Sequence, residues 1–269
     1  MIAIVGGGRM GRALAGAFGE AGERVLLWSR REAGGAVADA VTGASTVILA
    51  VPDDAIGAVA LALAGAGAIG ADQVVLHLSG VLDARALAPL QPSGAALGSL
   101  HPLRSVSDPG MPPDQWRGAY ATIEGDDRAT QEGERLARLL GLVPVRLQAR
   151  AKAAYHAGAV FAANYVVALA AVAARLARQA GIEEALSDRV YQPLLRSAAE
   201  NLTGQSPAAA LTGPVRRGDV ATIRAHLEAL GPEDRALYRL LGLEALGLAR
   251  IAGLDPEKAV EVERLLRDY

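Results

Sequence analysis

The sequence contains no cysteine. That excludes disulfides, thiolate metal ligands and a cysteine nucleophile. It has only four histidines, at positions 77, 101, 156 and 226, so acid–base candidates are few. Charge of one sign is also scarce. The formal net charge is −2, which leaves no electrostatic footprint for nucleic acid or an anionic membrane. The opening Met1-Ile2-Ala3-Ile4-Val5-Gly6 has no basic region and only a short apolar stretch, so it does not read as a signal peptide. The expected location is cytoplasmic. A hydrophobic share of 51% against 21% charged residues is ample for a folded core, and 269 residues suit one large or two modest domains.

The first half alternates short apolar runs with helical patterns. Residues 2–5, 24–28, 46–51, 73–78, 95–100, 119–123 and 143–147 read as strands, and residues 9–21 as a helix facing inward through Met10, Leu14, Ala17 and Phe18. This alternation implies βαβ units in a mainly parallel sheet. Past residue 150 the β-rich runs stop. Helices are expected near 151–180, 183–202, 219–230, 233–252 and 256–267. The predicted architecture is an α/β Rossmann domain over 1–150 and an all-α domain over 151–269. The almost wholly apolar stretch from Ala157 to Ala174 approaches membrane-spanning length, but alanine and glycine dominate it and Asn164 interrupts it. It reads as a buried core or dimer helix.

The strongest motif is Gly6-Gly7-Gly8-Arg9-Met10-Gly11, between the first strand and the first helix. Gly6, Gly8 and Gly11 fill the three positions of a dinucleotide fingerprint: tight turn, close backbone approach to pyrophosphate, and helix–strand packing. The helix N-terminus then offers free N–H groups to phosphate. At the end of the second strand, NAD sites usually place Asp or Glu against the ribose 2′-OH. Here the residues are Trp28-Ser29-Arg30-Arg31. A hydroxyl and two guanidiniums favour a 2′-phosphate, hence NADP, while the adjacent Glu32 keeps NAD open. Val51, Pro52 and Ser79 follow later strands and are expected beside the cofactor. Asp53 reads as a helix N-cap.

Among the histidines, His77 sits in a strand that reads as buried and is expected to be a satisfied core residue. His101, before Pro102, falls past a strand end, facing either a substrate or a structural turn. On the first helix beyond residue 150, Lys152 and His156 are four residues apart and share a face. Asn164 follows two turns later. Polar groups on an apolar helix need partners. One partner is a substrate, with His156 or Lys152 as proton donor and Asn164 and His101 placing the reacting group. The alternatives are a solvated Lys152 and an interhelical Asn164. The connector Leu211–Asp219 holds Arg216 and Arg217, reading as a plain turn or as a loop over an anionic substrate, with Asp219 an N-cap and His226 a candidate packing residue.

Residues 4–14, Ile-Val-Gly-Gly-Gly-Arg-Met-Gly-Arg-Ala-Leu, resemble the opening of pyrroline-5-carboxylate reductases and the wider 6-phosphogluconate-dehydrogenase-like superfamily. The later elements Ser99-Leu100-His101-Pro102-Leu103, Tyr155-His156 with Asn164, and Thr212-Gly213-Pro214 through Arg217-Gly218-Asp219, Thr222 and His226 resemble a Rossmann-like reductase family with a helical C-terminal domain of unknown function. The resemblance covers nearly the whole chain and implies a dimeric NADP-dependent oxidoreductase without assigning a substrate. The Ser/Thr-rich glycine loop of pyrroline-5-carboxylate reductases is not evident near Gly213. In β-hydroxyacid dehydrogenases a lysine and an asparagine lie four apart on the interdomain helix; here His156 holds the second position.

The function expected is hydride transfer to a C=O or C=N carbon of a small, carboxylate-bearing metabolite. A non-enzymatic NADP-binding or redox-sensing dimer, and a ketopantoate-type reductase, are the other readings.

Overall fold

A computed structural model of the chain describes residues 1–32 and 35–268. The chain forms two compact units, Met1–Asn164 and Tyr165–Tyr269. The first therefore runs beyond the composition change at 150 and keeps the helix that carries Lys152 and His156.

The first unit is built on a seven-stranded sheet of order β2-β1-β3-β4-β5-β6-β7. The strands are β1 (Ile2–Val5), β2 (Val25–Trp28), β3 (Thr46–Leu49), β4 (Val74–His77), β5 (Ala96–Pro102), β6 (Tyr120–Gly125) and β7 (Val143–Arg146). All neighbours are parallel except β5 and β6. Side chains alternate faces along a strand. Ile2 and Ile4 of β1 join Ile48 and Leu76 in one core, with Leu14 and Phe18, while Ala3 and Val5 join Leu49 and Val75 in the other, with Ile56 and Leu63. Both faces are covered, which is why the strands read as continuous apolar runs.

Helix α1 (Arg9–Glu20) buries Gly11, Ala13, Leu14, Ala17 and Phe18, an i, i+3, i+4, i+7 stripe. Leu14 and Phe18 are fully buried; each stabilises the fold by about 1.5–3 kcal/mol relative to exposure. Gly22, at φ +88°, supplies the left-handed residue that ends it. The other helices of this unit are α2 (Val37–Val41), α3 (Asp53–Gly65), α4 (Asp127–Leu139) and α5 (Lys152–Ala162), with 3₁₀ turns at Ala84–Ser93, Pro113–Trp116 and Ala149–Ala151.

The chain leaves β1 for β2 on one side and crosses to β3 on the other, so the sheet's switch point lies between β1 and β3. In open α/β sheets this crevice, at the carboxyl ends of the strands, is where ligands bind. The topology is Rossmann-like.

The second unit is helical: α6 (Asn164–Gln179), α7 (Glu184–Ser187), α8 (Gln192–Gly204), α9 (Pro207–Ala210), α10 (Pro214–Arg217), α11 (Val220–Ala229), α12 (Pro232–Ile251) and α13 (Pro256–Asp268). Prolines open α8, α9, α10 and α12, where the missing N–H costs nothing. Its core gathers Ile223 and Leu227 of α11, Leu246 and Ala249 of α12, and Val262 and Leu266 of α13.

Two helix expectations are corrected, and the core reading of the apolar stretch is set aside. The long helix over 151–180 is two helices that break at Ala163, which has φ −124° and ψ −66°. The helix over 183–202 is likewise two, α7 and α8. The apolar stretch is also not a core helix. The segment Ala149–Gln179 is long and apolar enough to cross a membrane, yet almost none of its most apolar window is buried. Phe161, Val166 and Val167 are exposed.

Candidate functional site

The glycine turn is shaped by backbone contacts. A Cβ on Gly6 would sit 2.2 Å from the Ala50 carbonyl oxygen, and one on Gly11 would sit 1.9 Å from the Gly6 oxygen. Gly6 also has φ +129°, where an L side chain is strained. These two glycines are demanded by the fold at the switch point. Gly8 is different: a Cβ there would meet nothing within 4 Å. It is exposed, and no side chain caps the α1 N-terminus behind it. The first N–H groups of α1 are therefore open to a ligand, the arrangement that binds phosphate. Exposed Arg9 and half-buried Met10 follow.

Gly7 is fixed by the end of β2. A Cβ there would lie 2.7 Å from Ser29 Cβ and 2.9 Å from Ser29 Oγ. Ser29 is half-buried against the turn, while Arg30 and Arg31 are exposed beyond it. Glu32 pairs with Arg12 of α1, and Arg12 Nε donates to the Gly7 carbonyl at 2.9 Å. Between β3 and α3, Val51 is half-buried and Pro52 takes the N-cap position. Asp53 is thus the first helical residue rather than the cap. The residues present fit a dinucleotide: an open cradle at Gly8, an uncapped helix start, and a hydroxyl with two cations at the end of β2.

The loop after β4 is tightly bonded. His77 is fully buried, its Nε2 is 3.0 Å from the Asp83 carbonyl, and its Nδ1 accepts the Ser79 N–H at 3.2 Å. The accepting Nδ1 assigns the proton to Nε2. Burial lowers its pKa to about 4. It is a satisfied core histidine. Ser79 Oγ donates to Asp53 Oδ2 at 2.9 Å and accepts from the N–H groups of Val81 and Leu82. Its hydroxyl braces the loop.

Beyond this loop the first unit collects its remaining chemistry. His101, near the end of β5, has Nδ1 3.0 Å from the Tyr155 hydroxyl of α5. The rings stand edge to face at 5.7 Å. His156, one residue on, lies edge to face with His101 at 5.4 Å. Gly80 makes room for both: a Cβ there would fall 2.2 Å from His156 Nδ1 and 2.9 Å from His101 Nε2. Burial, with the charges of His156 and Lys152, lowers the His101 pKa to about 4. Burial pushes the Tyr155 phenol up. At neutral pH the pair is therefore a neutral imidazole and a protonated phenol, and their bond fixes the plane of the His101 ring. His156 Nδ1 is buried without a hydrogen-bond partner. Unpaired buried polar atoms are costly and concentrate where a ligand or strain accounts for them.

Lys152 is 1% exposed, which corrects the solvated reading. Its Nζ donates to the Ser79 carbonyl at 3.0 Å and to Ser99 Oγ at 2.7 Å. Burial lowers its pKa, opposed by the carboxylates of Glu124, Asp83 and Asp53. Glu124 faces Ser99 across the antiparallel β5–β6 register, and its Oε2 accepts the Ala84 N–H at 2.9 Å. The ammonium is thus a strut between β4, β5 and α5, beneath the two imidazoles. Asn164 is exposed at the start of α6, eight residues beyond His156 and just past the break at Ala163.

Of the residues grouped with His156 in the sequence, the structure brings His101 against it. The residues beside it are His101, Tyr155 and Gly80. Tyr155 carried one local signal: it follows Lys152 by three positions, the spacing of a shared helix face. In the second unit, Asp219 caps α11 by accepting the Thr222 N–H at 3.1 Å, and Arg216 donates to the Ala252 carbonyl. The 211–219 connector is bonded within its own unit. His226 Nδ1 is 2.9 Å from the Tyr238 hydroxyl.

No curated protein matches the sequence. Residues 119–245 match the family model described as domain of unknown function DUF2520. Solved structures are similar over nearly the full length. One is TM1727 from Thermotoga maritima, at 23% identity and TM-score 0.66, covering 98% of this chain and 100% of that one. Another, named as an NADP oxidoreductase, is BF3122 from Bacteroides fragilis, at 20% identity and TM-score 0.71, covering 93% and 97%. A third is a pyrroline carboxylate reductase from Plasmodium falciparum with NADP bound, at 12% identity and TM-score 0.59, covering 98% and 97%. Residues 119–245 are thus similar to DUF2520, and the fold of the whole chain is shared with these solved structures.

Proposed function

We propose that the protein is an NADPH-dependent reductase that delivers hydride to the C=O or C=N carbon of a small, carboxylate-bearing metabolite. The observation that carries this reading is the placement of both halves of such a site along one edge of one sheet. The open cradle at Gly8 lies at the end of β1, and the His101–Tyr155–His156 cluster lies at the end of β5, three strand spacings or about 14 Å away. The NADP-binding neighbours support the choice of cofactor, as do Ser29, Arg30 and Arg31 at the end of β2.

Nicotinamide supplies the hydride when bound. The chain's part is to hold, orient and protonate. Gly8 and the α1 N-terminus hold pyrophosphate. His156, whose Nδ1 has an unused bond, donates the proton to the oxygen or nitrogen that gains charge. His101, kept neutral by burial and held in plane by Tyr155, orients the substrate. Lys152 fixes the floor beneath them and transfers no proton, because both of its identified hydrogen bonds are to the protein itself.

The test is NADPH oxidation with a panel of keto acids and cyclic imines. A turned-over substrate is expected, and His156→Ala should lower its kcat by about 10²–10⁴-fold while NADPH affinity holds. Unchanged turnover removes His156 from the mechanism.

We further infer that the protein is a homodimer through the helical unit. Exposed Val167 on α6, Leu194 and Leu202 on α8 and Leu240 on α12 support this. Large exposed apolar patches mark association surfaces. Light scattering should give twice the chain mass, and Val167→Glu with Leu194→Glu should halve it.

A further inference from the structure

We infer that Arg12, masked by Glu32, is the residue through which this protein distinguishes a 2′-phosphorylated nucleotide from its unphosphorylated counterpart. The inference rests on the NADP reading above and adds a residue to it that the glycine fingerprint does not include.

Arg12 follows the last glycine of the turn, on α1. Its guanidinium folds back over the turn, with Nε bonded to the Gly7 carbonyl at 2.9 Å. The position of a Cβ on Gly7 would lie 2.9 Å from Ser29 Oγ and 3.5 Å from Arg12 Nη2. The serine hydroxyl and the guanidinium thus both approach the same point beside Gly7. A phosphate at the end of β2 would meet a hydroxyl donor and a fork of N–H groups there, the planar geometry that suits phosphate oxygens. Arg30 and Arg31, by contrast, are exposed.

The outer face of the guanidinium is taken by the Glu32 carboxylate. The pair is exposed, at 39% and 58% for the two side chains. Exposed ion pairs are weak, so a doubly charged phosphate can displace the carboxylate. Once released, Glu32 borders the same site. There it repels a misplaced anion and offers an acceptor to an unphosphorylated ribose. Glu32 thus occupies the site as a weak intramolecular substitute for the phosphate. The arrangement gives a preference for NADPH that is real but smaller than Arg12 alone would give.

Binding of NADPH, NADH, adenosine 2′,5′-bisphosphate and 5′-AMP by calorimetry tests this in the full-length protein. Wild type should prefer NADPH over NADH and the bisphosphate over AMP. Arg12→Gln should weaken the two 2′-phosphorylated ligands about 10- to 100-fold and the other two less than about threefold. Glu32→Gln should tighten the 2′-phosphorylated ligands about two- to fivefold. Circular dichroism should give both variants wild-type melting curves, as expected for exposed side chains. A wild-type preference that Arg12→Gln retains, or an equal loss for all four ligands, overturns the inference and leaves the cofactor reading standing. Equal wild-type affinity for NADPH and NADH overturns both. Weaker NADPH binding in Glu32→Gln overturns the masking role.

Discussion

The two units each contain a histidine–tyrosine pair of nearly the same geometry. His101 and Tyr155 have Nδ1 and hydroxyl 3.0 Å apart with rings at 5.7 Å and 86°. His226 and Tyr238 have 2.9 Å, 5.7 Å and 85°. What differs is the setting. The first pair sits at a strand end in the sheet, against a second imidazole and above a buried ammonium. The second lies on the faces of α11 and α12, with His226 exposed and the N-capping Asp219 nearby. A pair of polar rings is therefore not a site by its own geometry. Burial and neighbours lower the His101 pKa and leave His156 beside it with an unpaired ring nitrogen, whereas His226 lies in the open.

The largest break in this comparison is expected at His101. Replacing it with alanine removes the ring that orients substrate, and turnover of any substrate found should fall about 100-fold, a loss of about 2.7 kcal/mol in transition-state stabilisation. NADPH affinity should stay within about twofold. A turnover unchanged by His101→Ala would make the two pairs equivalent and both structural.

Next is the strut. Lys152→Met keeps the length of the side chain but strands the Ser79 carbonyl and takes one of two bonds from Ser99 Oγ, which still donates to Glu124 Oε2 at 3.4 Å. Leaving a buried polar group unpaired costs about 1–3 kcal/mol, and losing one bond of a second adds about 1 kcal/mol, offset by losing a buried charge. Urea unfolding should show a net loss of about 2 kcal/mol. No loss would mean that desolvating the ammonium already cancels its hydrogen bonds.

How far the sequence revealed these features follows from the range of the interactions. The glycine turn was legible because strand, turn and helix are neighbours in the chain, and the demands on Gly6 and Gly11 arise within fifty residues. His77 was legible as a core residue from its apolar strand. The cluster was only half legible. His156 stood out on an apolar helix, but its meeting with His101 depends on where β5 ends and α5 begins, which local pattern does not encode. Lys152 was misread for the same reason: a lysine at a helix start is usually solvated, and here its acceptors come from two distant strands. The apolar stretch that includes α6 reads as a core or dimer helix, because apolar composition alone does not say what covers it; the chain itself leaves most of it exposed.

Acid should also separate the two regions. His77 is lowered to about 4 from an ordinary 6.5 by burial. The unfolded chain then binds its proton at higher pH than the native one. Its contribution is present above pH 6.5 and lost as pH falls toward 4. At 1.36 kcal/mol per unit, that is about 3 kcal/mol for the fully buried ring, as an upper value. His101, also lowered to about 4 by burial, acts in the same direction. Hydrogen exchange should therefore show protection of β4 and β5 falling between pH 6.5 and 4, and His77→Gln should flatten the fall. A flat wild-type profile would mean that the ring is solvated.

The smallest effect is expected where the geometry looks most like the site. Truncating His226 to alanine removes one exposed hydrogen bond to Tyr238, worth about 0.5–1.5 kcal/mol at most and less once water replaces it. Surface changes of this kind usually stay within about 0.5 kcal/mol. The Asp219 cap remains, because its bonds run to Thr222 and not to His226. Melting temperature should move by about 1–2 °C, and turnover should stay within about twofold. If turnover instead falls as far as it does in His101→Ala, the second pair belongs to a reaction site too. A subunit-mixing assay would then decide whose: heterodimers of His101→Ala with His226→Ala regain activity only if each copy supplies one intact pair to a shared site.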